Sequence, residues 1–140
     1  MKTPFTGGCA CGAIRYEVSA EPLMMVQCHC RDCQRLSGGT GLYVVVVSEK
    51  AFKLTQGEPN YRYTNSVAMG HHKRGFCAEC SSPLTGAQNR EGTTGMVGIT
   101  AASLDDPSEF HSQMNVWTSD AQPWAHLDPA LPKFEQYPTS

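Results

Sequence analysis

The chain has 140 residues, of which 17% are charged and 40% apolar, and its formal net charge at pH 7 is -2. This composition is typical of a globular chain rather than of a disordered one, and the length fits a single domain, 1–140. Because lysine and arginine residues do not cluster, neither a nucleic acid nor an anionic membrane surface is an expected partner.

The amino-terminal residues indicate a cytoplasmic protein. Residues 1–5 contain one lysine and no apolar stretch follows them, so neither a secretory signal nor a mitochondrial presequence is visible. The longest apolar run, 42–47, is far too short to span a bilayer. In a reducing compartment the seven cysteines are expected to bind metal rather than to form disulfides, because their number is odd and they are tightly clustered.

Short β-strands are predicted along most of the chain, because β-branched and aromatic runs are bounded by Gly, Pro, Asn and Ser. The predicted strands are 13–18, 23–28, 41–47, 51–56, 60–64, 67–76, 83–87, 95–100 and 113–117. Only 32–37 and 101–106 have a helical pattern, each long enough for one or two turns. The tail, 123–140, is rich in proline and is expected to be an extended strap pinned by Trp124 and Phe134. The predicted fold is therefore mainly β, with a modest core that zinc would help to stabilise.

Four of the cysteines form two pairs at spacings that suit one metal ion. Residues two apart in a strand point to the same side, so Cys9 and Cys11 are expected to reach the same ion. The Cys-x-x-Cys spacing of Cys77 and Cys80 is typical of a tight turn that offers two thiolates to a tetrahedral metal. Together the pairs predict a structural zinc site, since free buried thiols would not explain the clustering.

The other three cysteines lie close together in the sequence, as Cys28, Cys30 and Cys33. Three protein ligands with a vacant fourth position are the usual arrangement of a catalytic zinc. A histidine could instead complete the site. His29 should point to the opposite face of its strand, whereas His71 and His72 would reach the metal only if the fold brings them near. A second, purely structural zinc site is the remaining alternative.

Residues that flank the triad have simpler interpretations. Arg31 and Arg35 could hold an anionic ligand, but a solvated or salt-bridged arginine is the favoured interpretation. Trp117 and Trp124 are expected to fill the core rather than to form a platform for a substrate.

Three cysteine motifs follow one another along the chain: Gly7-Gly8-Cys9-Ala10-Cys11-Gly12, Cys28-His29-Cys30-Arg31-Asp32-Cys33 and Arg74-Gly75-Phe76-Cys77-Ala78-Glu79-Cys80. With the closing segment 124–134, they resemble the glutathione-dependent formaldehyde-activating enzyme family, also called the centromere protein V family, over about 5–137. The resemblance implies several small coiled antiparallel β-sheets stapled by zinc. It also implies the ligand sets already named: Cys9, Cys11, Cys77 and Cys80 for a structural zinc, and Cys28, Cys30 and Cys33 for a second one. The family pattern has glycine where this chain has Ser81, so the turn there is expected to carry some strain.

The function that the resemblance implies is that of a carbon-sulfur lyase, which adds the thiol of glutathione to formaldehyde or another small aldehyde. In this hypothesis the thiol enters the vacant position of the second zinc. A metal-bound thiol loses its proton near neutral pH, whereas a free thiol with a pKa of about 8.5 mostly keeps it. The thiolate then adds to the aldehyde carbon and gives a hemithioacetal. Of the two roles open to the zinc ion, delivery of the thiol is favoured over activation of the carbonyl group. Three thiolate ligands make the metal electron-rich, which weakens it as a Lewis acid.

Two other functions fit the same residues. The protein could be a binding or scaffold module whose two zincs only hold the fold, or a zinc hydrolase or lyase that uses a zinc-bound water at the open position. As general acid or base, His71, His72 and Glu79 are candidates by residue type alone. The second zinc is expected to be the more labile one, because three ligands hold an ion less firmly than four. A homodimer would be an ordinary assembly, although no sequence pattern argues for it.

Overall fold

Two β-sheets make up most of the structure. The computed structural model describes residues 1–138. Its strands are β1 (Phe5–Gly8), β2 (Arg15–Val18), β3 (Met24–Cys28), β4 (Leu42–Ser48), β5 (Phe52–Gln56), β6 (Asn60–Ser66), β7 (Gly70–Phe76), β8 (Pro83–Asn89), β9 (Met96–Thr100) and β10 (Met114–Val116). One α-helix, α1, is present in this part of the chain and spans Arg31–Ser37. Short 3-10 turns cover Glu49–Ala51, Ala101–Ser103, Pro107–Glu109 and Thr118–Asp120. The prediction of a mainly β fold with small sheets is confirmed.

The strands form a three-stranded sheet of order β1-β2-β5 and a seven-stranded sheet of order β10-β3-β4-β9-β8-β7-β6. Neighbouring strands are antiparallel, as predicted, with one difference at an edge of the large sheet. There β10 pairs with β3 in parallel, with Met114 opposite Val26. Parallel pairing needs a long crossover, and the crossover here is the whole chain between β3 and β10.

Every predicted strand is present, with somewhat different bounds. The prediction of a strand over 67–76 is wrong at its start, because residues 67–69 form the turn of the β6–β7 hairpin and β7 begins at Gly70. Gly70 has a φ of 72°, a conformation that favours glycine and suits a turn. Strand β1 was not predicted, since Phe5 is its one large apolar residue and two of its four residues are glycine.

The helical segments differ more from the prediction. Helix α1 confirms the helical pattern at 32–37. The predicted turn over 101–106 is wrong beyond Ser103, because Leu104 has an extended backbone with φ -61° and ψ 144°. A separate 3-10 turn then begins at Pro107, where the Asp106 side chain accepts a hydrogen bond from the Ser108 N–H at 3.2 Å.

The large sheet buries apolar side chains on both faces. Because β4 lies inside this sheet, its apolar run is continuous rather than alternating with polar residues. Val45 and Val47 are fully buried and face the core between the two sheets, which also contains Tyr16 and Ile99. Leu42, Val44 and Val46 of β4 point to the opposite face. That face forms the second core, which contains the buried residues Val26, Cys28, Cys30, Cys33, Val116 and Trp117.

The carboxyl-terminal strap extends the large sheet beyond β10. The Phe134 N–H donates to the Asn115 carbonyl at 2.9 Å, and the Trp117 N–H donates to the Gln136 carbonyl at 3.0 Å. Phe134 packs against the second core, as predicted. Trp124 is 66% exposed, so the prediction that it pins the strap and fills the core is wrong. The last residues of the predicted strap, 139–140, lie outside the described residues.

No helix within residues 1–138 combines the length and the hydrophobicity that a membrane crossing requires.

Candidate metal centres and active site

The structure brings the first set of predicted ligands together. The sulfur atoms of Cys9, Cys11, Cys77 and Cys80 all lie within 4.8 Å of one another. The Cys9 and Cys11 sulfurs are 3.6 Å apart, and the Cys11 and Cys77 sulfurs are 3.8 Å apart. Tetrahedral zinc with Zn–S bonds of about 2.3 Å separates its sulfur ligands by about 3.8 Å. The four-cysteine site therefore has dimensions that suit a zinc ion.

Two loops position these four cysteines. Strand β1 ends at Gly8, so Cys9 and Cys11 lie in the loop before β2 rather than on a strand as predicted. The Ile14 N–H donates to the Cys9 sulfur at 3.3 Å. At the other loop, Ser81 adopts a φ of 66° while its N–H donates to the Cys77 carbonyl at 2.8 Å. The turn therefore does use the left-handed conformation that glycine would adopt without strain.

A hydroxyl group supports one thiolate of the four-cysteine site. The Ser82 hydroxyl lies 3.1 Å from the Cys80 sulfur. This hydrogen bond is the main reason why the pKa of Cys80 is lowered to about 5. A thiolate is the form that binds a metal, so Cys80 is already in the protonation state that the site requires.

The structure also brings Cys28, Cys30 and Cys33 together, with all three sulfur atoms within 4.8 Å of one another and all three residues buried. Cys28 ends β3, and Cys30 caps α1 by accepting a hydrogen bond from the Cys33 N–H at 3.3 Å. Hydrogen bonds from the Cys28 and Cys30 thiols, together with the Arg74 guanidinium, lower the pKa of Cys33 to about 3. This three-cysteine site therefore holds a thiolate next to two further soft sulfur ligands, a set that suits zinc.

No histidine joins either cysteine cluster within the described residues. His29 is fully buried, and its Nε2 lies 2.9 Å from the Asn115 Oδ1. His71 is half exposed, and its Nδ1 lies 2.5 Å from a Glu91 carboxylate oxygen. Glu79 is exposed in the turn of the four-cysteine site. Of the acid–base candidates from the sequence, only His72 lies close to the three-cysteine site.

A buried cluster of charged and polar groups adjoins the three-cysteine site. The Arg74 Nη2 donates to the Asp32 Oδ2 at 2.6 Å and to the Cys33 sulfur at 3.4 Å. The His72 Nδ1 lies 3.1 Å from the same Asp32 oxygen, although the angle there is poor for a hydrogen bond. Burial alone would raise the pKa of Asp32, but the adjacent His72 ring and the hydrogen bonds from Arg74 hold that pKa well below its usual value. Asp32 is therefore a buried carboxylate that orients Arg74.

His72 has one ring nitrogen in a hydrogen bond and the other facing a carboxylate. The Ala87 N–H donates to the His72 Nε2 at 2.9 Å, which assigns the ring proton to Nδ1 beside Asp32. His72 therefore lies between the backbone of β8 and Asp32, and its Nε2 is already used as an acceptor. The sequence did not identify the roles of Asp32 and Arg74, although both residues lie within the cysteine motifs.

The flanking arginines do not form an anion site. Arg31 and Arg35 are exposed, and the Arg31 guanidinium donates to the Gln34 side-chain oxygen. This agrees with the favoured interpretation that they are solvated or paired. Trp117 is 5% exposed and packs against the cysteine core, as predicted.

A cavity of about 80 Å³ adjoins the three-cysteine site. Its polar side is formed by Cys28, Cys33, His72 and Arg74, and its apolar side by Val26, Leu42, Val44, Val46 and Val116. Tyr137 of the strap also lines it, with its ring packed edge-on against Trp117 at a centroid distance of 5.6 Å. An open cleft of about 910 Å³ lies alongside and shares Leu42 and Thr100 with the cavity.

Two strained residues support this region. Ala87 and Trp117 have φ values of 58° and 56°, which non-glycine residues adopt only at a cost. Ala87 lines the cavity and positions His72, and Trp117 packs against the three-cysteine site. Strain of this kind concentrates at functional sites, which favours the cavity as the place where the protein acts.

Comparisons with known proteins identify the family of the chain. The family model described as "Glutathione-dependent formaldehyde-activating enzyme" matches residues 4–120. A Halomonas elongata protein with the name "Putative glutathione-dependent formaldehyde-activating enzyme" is 28% identical over 82 residues, which are 56% of this chain and 52% of that protein. The chain thus spans about half the length of this curated relative. A crystal structure of a Rhodobacter sphaeroides protein has a TM-score of 0.56 at 17% identity and covers 92% of this chain and 98% of its own, which shows a shared fold. With a match over most of its length, the chain belongs to the glutathione-dependent formaldehyde-activating enzyme family.

Proposed function

We propose that the protein is a zinc-dependent enzyme that adds the thiol of glutathione to formaldehyde or another small aldehyde. The observation that carries this proposal is the three-cysteine site, which opens onto a cavity and has no fourth protein ligand among the described residues. A site of this type leaves a coordination position for a ligand from solution.

The two cysteine clusters have different proposed roles. Cys9, Cys11, Cys77 and Cys80 would hold a structural zinc, since four thiolates leave no position for chemistry. Cys28, Cys30 and Cys33 would hold the second zinc, which lowers the pKa of a bound thiol so that a thiolate forms near neutral pH.

The reaction forms one carbon–sulfur bond. The thiol sulfur bonds to the carbonyl carbon, the π electrons of the C=O bond move to the oxygen, and the thiol proton ends on that oxygen as the new hydroxyl group. Arg74 holds the Cys33 sulfur, and Asp32 holds Arg74 in place. The valine side of the cavity excludes bulk water from the reacting groups. These residues therefore position and enclose the reactants.

Titration calorimetry tests the proposal directly. Glutathione is titrated into zinc-loaded protein and into the Cys30→Ser variant, and formation of the hemithioacetal from formaldehyde is followed in parallel. We expect saturable one-to-one binding in the parent protein, and loss of both binding and activity in a variant that stays folded by circular dichroism.

An unchanged rate in the Cys30→Ser variant would contradict a role for the three-cysteine site in the chemistry. Absence of glutathione binding in both proteins would contradict the proposed substrate, and the metal sites would then serve another function.

A further inference from the structure

Arg74 has one nitrogen that no described residue uses. Its Nε and Nη2 donate to the Asp32 Oδ2 at 3.2 and 2.6 Å, and Nη2 also contacts the Cys33 sulfur at 3.4 Å. Nη1 makes no hydrogen bond within residues 1–138. Arg74 is nevertheless 4% exposed and lines the cavity. A buried guanidinium with an unused donor is a binding group for an acceptor atom.

Gly86 keeps the space in front of this nitrogen open. A Cβ atom at position 86 would lie 3.2 Å from the Arg74 Nη1 and 3.2 Å from the His72 Nε2. Gly86 itself lines the cavity. Because no side chain occupies this position, a small molecule in the cavity has access to Nη1.

The charges around the cavity favour a neutral ligand. The positive charge of Arg74 is already balanced by the Asp32 carboxylate at 2.6 Å. A second carboxylate in this place would be poorly solvated and would meet no uncompensated positive charge on Arg74. The oxygen of a neutral carbonyl compound can accept a hydrogen bond from Nη1 without that cost.

The volume of the cavity limits the size of the ligand. Ordinary ligand pockets have volumes of about 300–1,000 Å³, so the cavity of about 80 Å³ has room for a small molecule only. Val44 and Val46 of β4 belong to the apolar lining of the cavity. These two side chains therefore set an upper limit on ligand size.

We propose that this cavity is the subsite for the carbonyl substrate. The substrate class is a small neutral aldehyde, whose oxygen accepts a hydrogen bond from the Arg74 Nη1 while its carbon lies on the side of the cysteines. Val44 and Val46 exclude larger and branched aldehydes. The inference deepens the proposed function and rests on it for the identity of the reaction.

A binding experiment tests the subsite without any turnover. Formamide serves as a small unreactive carbonyl probe and 2-methylpropanamide as a branched one, and both are titrated into zinc-loaded protein carrying ¹⁵N-labelled arginine. We expect formamide to shift the Arg74 side-chain resonances in a saturable manner and the branched probe to bind at least about tenfold more weakly. Unshifted Arg74 resonances would overturn the inference.

A matched pair of valine variants tests the size limit. Val46→Ala enlarges the cavity, whereas Val45→Ala removes the same atoms from the opposite face of β4, where Val45 is fully buried in the other core. We expect Val46→Ala to raise binding of the branched probe about tenfold relative to formamide, and Val45→Ala to leave the ratio unchanged. An equal ratio in the parent protein and both variants would overturn the inference.

Assays with glutathione and the aldehydes formaldehyde, acetaldehyde and 2-methylpropanal separate the inference from the proposed function. Probe binding with the expected size preference, but no hemithioacetal product, would support the subsite and contradict the proposed reaction. Product formation with a size preference that Val46→Ala leaves unchanged would support the reaction and overturn the subsite.

Discussion

Two aspartates show how burial changes the contribution of an ion pair to the stability of the fold. Asp32 and Arg74 have side chains that are 12% and 4% exposed, whereas those of Asp105 and its partner Arg15 are 47% and 34% exposed. Water weakens the attraction between Asp105 and Arg15, and it solvates each of the two charges when the pair is broken. In the first pair, removal of the carboxylate leaves a buried guanidinium without its carboxylate partner.

We therefore expect Asp32→Asn to lower the free energy of unfolding by about 3 kcal/mol, and Asp105→Asn to lower it by less than about 1 kcal/mol. Urea denaturation of the zinc-loaded proteins at neutral pH measures both values, and the two variants make the same chemical change. Similar losses in both variants would show that the buried pair has no special structural role.

Ser81 provides a second prediction at the level of one residue. Its φ of 66° costs a non-glycine residue about 1–2 kcal/mol, which exceeds the entropic cost of glycine of about 0.5–1 kcal/mol. We expect Ser81→Gly to stabilise the zinc-loaded protein by about 0.5 kcal/mol, measured by urea denaturation. As a control, Ser48→Gly at a φ of -64° should destabilise it. Destabilisation by both variants would contradict this account of the turn.

At the level of secondary structure, the strap depends on one aromatic residue and not on the other. Phe134 packs against the second core, whereas Trp124 is 66% exposed. We expect Phe134→Ala to lower the free energy of unfolding by about 2 kcal/mol, and Trp124→Ala to change it by less than about 0.5 kcal/mol. Thermal unfolding monitored by circular dichroism compares the two. A larger loss for Trp124→Ala would mean that the strap is held in a different way.

The sequence predicted the strands well where local pattern decides the structure. The continuous apolar run of β4 and the alternation in β2 indicate strands whatever surrounds them. Strand β1 carries no such signal, because its glycines acquire an extended conformation only by pairing with β2. The start of β7 was misplaced for a related reason, since the 67–69 turn has no proline or glycine before Gly70. Trp124 was misjudged because hydrophobicity alone does not tell which aromatic residue reaches the core.

The candidate site was predictable only in part. The spacing of the cysteines predicted which of them come together in each site, because the ligands within each motif are close in sequence. The cluster around Arg74 depends instead on a side-chain contact between β7 and α1, which brings Arg74 to Asp32, 42 positions earlier in the chain. No local pattern encodes that contact. Its one visible trace is a pair of polar residues, His72 and Arg74, that alternate on the buried face of a strand.

At the scale of the whole molecule, the four-cysteine site joins the two sheets. Cys9 and Cys11 follow β1 of the small sheet, whereas Cys77 and Cys80 lie between β7 and β8 of the large one. A metal ion shared by both loops would fix the sheets relative to each other. Structural zinc contributes directly to the free energy of folding, because the unfolded chain offers no formed site.

We expect Cys77→Ser to lower the zinc content by about one ion per chain and to destabilise the fold by several kcal/mol. Cys30→Ser should also lose zinc but should keep most of the thermal stability, since three ligands hold an ion less firmly than four and less of the folding free energy then depends on it. Elemental analysis and thermal unfolding of both variants measure these effects. Equal destabilisation by the two variants would mean that both sites are structural.

The parallel pairing of β10 with β3 has a consequence for biosynthesis. The wall of the cavity combines Val26 with Val116 and Tyr137. Strand β3 is therefore synthesised about ninety residues or more before the segments that pack against it. Until then β3 has an open edge, and the cysteines beside it are exposed to solvent and to any metal ion in it. Contacts so distant in sequence also slow folding. The addition of β10 and the strap to β3 is thus the folding step that encloses the reactive thiols.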